Sequence, residues 1–187
     1  MAIADLTATE LDNLEANYVR LGKTMGGKYS LYEVRLEKLR RQPNPFGARE
    51  SFIKIIELAK GSPDGKLTYG DLWTAFRPDE TWKGQGTATI VKQALGRVAA
   101  YCVDHGLPIV TVLVVHSANR ELSAKAKENI FNAARDLGVD VGADPEAFVE
   151  RQIVSAMKIS TKNDLFPLVT SRPDPTHVAL HDTRSAV

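Results

Sequence analysis

The sequence predicts a mainly α fold with a small β component. Three observations carry that expectation. Apolar residues recur at helical spacing along most of the chain, Gly- and Pro-rich turns separate those stretches, and only one run, Ile109 to Val115, is short, apolar and β-branched enough to read as a buried strand. With 187 residues, 43% apolar and 25% charged, the chain is long enough to bury a core and too apolar for wholesale disorder.

The first helix is expected over Leu6 to Gly22, with Leu11, Leu14, Tyr18 and Leu21 on its apolar side and Gly22 to stop it. A second follows Gly26-Gly27, from Ser30 to Arg41, through Leu31, Val34, Leu36 and Leu39. QPNPFG then reads as a linker, and a domain boundary is placed near Pro43 to Gly47. This divides the chain into a helical segment over residues 1–42, a core over 48–158 and a tail over 159–187.

In the core, Phe52, Ile55, Ile56 and Leu58 give a buried stripe that GSPDG terminates at Gly61 to Gly65. Thr68 with Asp71 three residues on is a capping box, so a short helix runs from Tyr69 to Phe76. A loop, RPDETWKGQG, leads to a longer helix from Thr87 to His105. Its inward face holds Ile90, Val91, Ala94, Leu95, Val98, Ala99 and Cys102, while Lys92, Gln93 and Arg97 lie on another face. Gly106 and Pro108 end it. After the strand, Ser117 to Arg120 is a turn in the place of a wing. A helix over Glu121 to Leu137 and one capped by Asp144-Pro145, lined by Phe148, Ile153 and Met157, complete the core. In the tail, Phe166, Leu168 and Val169 are the apolar positions able to dock.

Charge excludes a protein held to polyanions by bulk attraction, because the formal net charge is only +1. The distribution is uneven. Arg20 to Arg41 carries seven basic and two acidic residues, and Asp136 to Glu150 is acidic. A single cysteine, Cys102, allows no internal disulfide and no Cys-rich metal site; a reducing compartment follows, and with no signal-like start and no long apolar run the cytoplasm is expected, without a membrane.

Other chemistry is thin. Cys102 stands near Asp104 and His105 but on the apolar stripe, so a buried core residue is expected. KGQGTA lacks the strand and the Lys-Ser/Thr of a phosphate loop, and its glycines serve a turn. His105 and His116 are placed in surface or capping roles; His177 and His181 fall in the Pro-rich tail. No metal and no cofactor are expected.

Helix, short capped helix, loop, long amphipathic helix and strand, in that order, make a winged-helix-like three-helix core with flanking helices. The stretches IIELAKGSPDGKLTYGDLWTAF, TATIVKQALGRVAAYC and LPIVTVLVV resemble the C-terminal domain of the alkylguanine-DNA alkyltransferases and alkyltransferase-like proteins, most specifically at Gly65, Thr68, Tyr69, Gly70 and Leu72. The resemblance implies a helix that enters the major groove of DNA. It does not extend to the acceptor cysteine: the family's Pro-Cys-His-Arg run falls on Ile109 to Val115, which has none of it. The family's base-replacing arginine falls near Thr89.

The expectation is therefore a non-catalytic protein that binds double-stranded DNA. Lys92, Gln93 and Arg97 would face bases or phosphates, with Thr68 and Tyr69 at the backbone, Thr89 beside them, and Lys38, Arg40 and Arg41 adding attraction. The alternative is an interaction module whose exposed Trp73 and Trp82 meet a protein partner.

Overall fold

Three helices open with the same reciprocal cap. In the computed structural model, which describes residues 2–159, Thr7, Ser30 and Thr68 each accept a hydrogen bond from the backbone N–H three residues on. Glu10, Glu33 and Asp71 accept in return from the backbone N–H of their caps. The cap's own N–H, then its hydroxyl, holds the Glu10 and Glu33 carboxyls below their usual range.

These caps start α1 (Ala8–Leu21), α2 (Leu31–Arg41) and α4 (Tyr69–Phe76). Between them lies α3 (Ala48–Gly61), followed by β1 (Leu67–Thr68). After α4 come α5 (Gln85–Asp104), a short 3-10 helix (Val110–Leu113) and β2 (Val114–Val115). Then follow α6 (Ala124–Asp136) and α7 (Pro145–Met157). The described residues are mainly helical with one two-stranded sheet, as the sequence predicts at that level.

The central core forms where α3, α4 and α5 pack on one another and on the 3-10 segment. Phe52, Ile55, Leu72, Val91, Val98 and Val110 are essentially inaccessible. The expected linker is part of this core: Phe46 is buried and its ring stacks on Phe76 at 4.4 Å, while the Asn44 side chain donates to the Ile90 carbonyl at 3.3 Å. Leu36 of α2 joins the same buried cluster, and a smaller cluster of Leu6, Leu11 and Val34 seals α1 against α2.

Two expectations need correction. The run Ile109 to Val115 is not one strand; only Val114 and Val115 pair, and Val110–Leu113 coil into a 3-10 turn. Buried on all sides, that run has no alternation to mark a strand, and β1 offers only two residues to pair with. Trp73 is not exposed. It lies on the inward side of α4 beside Leu72, at 4% exposure, and its indole N–H donates to the Glu80 carbonyl at 3.0 Å. Smaller shifts are at ends: α5 begins two residues before Thr87, and α6 begins at Ala124 behind a Ser123 cap rather than at Glu121. The tail positions Phe166, Leu168, Val169, His177 and His181 lie outside the described residues.

Candidate nucleic-acid interface

A two-residue ladder builds the site. β1 and β2 run parallel with Leu67 opposite Val114 and Thr68 opposite Val115, so the next residue on each strand, Tyr69 and His116, emerge side by side. Their rings lie 6.0 Å apart. An exposed clasp ties the residues before β1 to those after β2. Arg120, held at a left-handed φ of 53°, bonds Asp64 through Nε and Nη2 at 2.8 Å each and also reaches the Lys66 carbonyl at 2.8 Å. Lys66 in turn donates to the Arg120 carbonyl at 3.2 Å. Bonding to Arg120, then to Ser62, holds the Asp64 carboxyl far below the usual carboxylate range.

The opposite wall is the start of α5. Gly84 turns the chain at φ 66°, and the Thr87 hydroxyl ties that turn, accepting from the Lys83 N–H at 3.2 Å and donating to the Gly84 carbonyl at 2.9 Å. Between the walls lies a cavity of about 450 Å³ whose lining includes Thr68, Tyr69, Trp82, Lys92 and His116. Burial pushes the Tyr69 phenol above its ordinary value. Trp82 stays at the surface, edge-on to Trp73 with ring centroids 6.4 Å apart.

Residues 85, 89, 92 and 93 follow helical spacing, and Gln85, Thr89, Lys92 and Gln93 are all exposed on one stripe of α5. Lys83 and Lys92 form no ion pair with any described residue, and no acidic residue stands in the first turn of α5. Arg97 is partly buried, and its Nη1 donates to the Gln42 carbonyl at 3.2 Å.

The sequence-identified residues thus divide. Thr68, Tyr69 and Lys92 converge on the cavity, and Thr89 and Gln93 share the α5 stripe. Lys38, Arg40 and Arg41 do not join them. Lys38 is held by Asp12 at 2.7 Å and Glu15 at 2.5 Å, Arg40 meets Asp104 at 3.5 Å, and Arg41 pairs with Glu37 at 2.8 Å while donating to the Leu6 carbonyl. Arg35 of the same run is bound by Glu15 and Asp136. Side-chain bonds from Asp12 and then Glu15 raise Lys38 above its ordinary value.

Sequence reasoning missed Lys83, Gln85 and His116 as site residues, and gave Trp82 only to a protein partner. For His116 the signal was the offset to Tyr69, visible only once the strand register is known. Among the described residues no group of three or more His, Cys, Asp and Glu side chains is arranged to hold a metal. No described helix is long and apolar enough to cross a membrane. Cys102 is fully buried and burial pushes its thiol up to about 12. No family model, no curated protein and no solved structure matches the chain.

Proposed function

We propose that this protein binds double-stranded DNA without transforming it, laying α5 into the major groove in the manner of a winged-helix domain of the alkyltransferase-like kind. The single observation that carries the reading is the contrast between its two basic regions. The α2 run is neutralised by carboxylates of the molecule itself, whereas the start of α5 presents Lys83 and Lys92 unpaired beside exposed Gln85, Thr89 and Gln93. Unpaired cations next to neutral hydrogen-bonding side chains are what phosphate positioning and base-edge contact require. The mutual packing of α3, α4 and α5 supports the helix-turn-helix reading, as does the TYGDL cap. Val112 to Val115 offer no nucleophile, and the buried Cys102 thiol is not poised to attack. The competing reading, a protein-binding module, keeps Trp82 and the exposed Val19, Leu21 and Met25 but loses Trp73 as an anchor.

The test is fluorescence anisotropy with a mixed-sequence duplex across a salt series. Affinity falls steeply with salt, and replacing Lys83 and Lys92 with Ala lowers the log–log slope by about two, near 0.9 per phosphate contact. Absence of duplex binding at low salt overturns the reading.

A further inference from the structure

Behind Tyr69 and Lys92 lies a second cavity, of about 270 Å³, between α5 and α6. We propose that it binds a small flat aromatic carboxylate, with its ring between the helices and its carboxylate at Lys92. This site is distinct from the DNA surface except at Tyr69 and Lys92, which the two share.

Size comes first. The space exceeds the ~150 Å³ apolar cavity that accepts benzene, so a substituted ring fits. Its walls are apolar, including Leu95, Val114, Leu122 and Ile130. Small residues hold it open: Ala99 on α5 and Ala133 on α6 line it, and a Cβ on Gly96 would meet nothing within 4 Å. Gly96 sits inside α5 with no positive φ, so neither turn geometry nor close packing calls for glycine there. The helix instead leaves a slot.

The polar groups fix the ligand's charge. Thr111, only 6% exposed, lines the cavity, and its hydroxyl makes no hydrogen bond with any described residue. Its oxygen is reachable from solvent, so it is free to donate to a ligand oxygen. Tyr69, half-buried, also has an unpartnered hydroxyl. Lys92 supplies an ammonium, and no acidic side chain is among the described lining residues. Two hydroxyl donors, one cation and the Asn129 amide around an apolar slot match a carboxylate on a ring. For the several N–H donors of a nucleobase the lining sets only the Asn129 carbonyl as a side-chain acceptor that is not itself a hydroxyl. Occupancy engages Lys92, so the acid and duplex DNA compete for it.

Cinnamate serves as the probe and cinnamamide as its neutral isostere, with binding to the full chain followed by ligand-observed NMR and by thermal shift in the absence of DNA. Saturable cinnamate binding is expected, about tenfold weaker for cinnamamide and for Lys92→Met, as loss of a charge-assisted hydrogen bond implies. Gly96→Leu fills the slot and removes cinnamate binding while keeping the helical circular dichroism and duplex binding of the parent. Should that variant fail to fold, Thr111→Val, which preserves volume, weakens cinnamate by a similar factor. No saturable cinnamate binding to the parent chain overturns the proposal, as do equal affinity for the amide, undiminished binding in Gly96→Leu, or binding of a free nucleoside in place of the acid. Cinnamate binding in a parent chain that ignores duplex DNA removes the DNA reading and leaves this one standing.

Discussion

Cys102 and Asp64 show how neighbours set the behaviour of single side chains. Cys102 is enclosed by the α5 core, and desolvation holds its thiol protonated up to about 12. A thiol reagent at neutral pH is therefore expected to leave the native chain unlabelled and to label it only as it unfolds, which a spectrophotometric titration through a urea series would follow. Because the folded thiol titrates above the unfolded one, its contribution to stability is complete below the unfolded value near 9 and is lost as pH climbs from there towards 12. Asp64 has the opposite sign. Its folded carboxyl is depressed by Arg120, so its contribution is present above the unfolded value, about 4, and fades as pH falls through and below it. Asp64→Asn should lower the neutral plateau of a melting-temperature profile slightly, since the carboxylate is exposed and well screened, and leave the acid end where it is, so that the acid limb flattens. An unaltered acid limb would detach the clasp from stability. Thr68 and its partner Asp71 were legible as a capping box because a cap is local; the Asp64–Arg120 bond, 56 residues apart in the chain, was not.

Helix α5 is legible from its spacing. Val91, Ala94, Leu95, Val98, Ala99 and Cys102 all face inward, as a 3.6-residue period requires, while Lys92 and Gln93 face out. The sheet was less legible. An apolar, β-branched run marks burial, and burial alone does not choose between a strand and a 3-10 turn when the partner strand is two residues long. The basic run of α2 illustrates a different loss. Its charge was countable, but the carboxylates that neutralise it, Asp12, Glu15 and Asp136, arrive from α1 and α6. Breaking that lattice should release cationic surface. Glu15→Gln, which removes a partner shared by Arg35 and Lys38, is expected to raise low-salt affinity for polyanions such as heparin, readable as later elution from a heparin column. Unchanged elution would mean that the freed cations find other partners.

For the molecule as a whole, the core that fuses α3, α4 and α5 governs everything placed on it. Leu72 is fully buried in α4 and belongs to that core. Leu72→Ala should cost about 2–5 kcal/mol, measured by chemical denaturation, with Tyr69 and the α5 start losing their mutual geometry. A cost under about 1 kcal/mol would mean that the core collapses around the vacancy. By itself the amino-acid sequence determined the helical class, the order of the elements, the caps that start them and the burial of Cys102, since all of these depend on residues within one or two turns of each other. Only the tertiary structure decided which cations are free, that Trp73 points inward, that Tyr69 meets His116, and that a slot remains between α5 and α6. Those outcomes turn on pairings across 20 to more than 100 residues, and a local pattern has no means of recording which distant side chain will arrive.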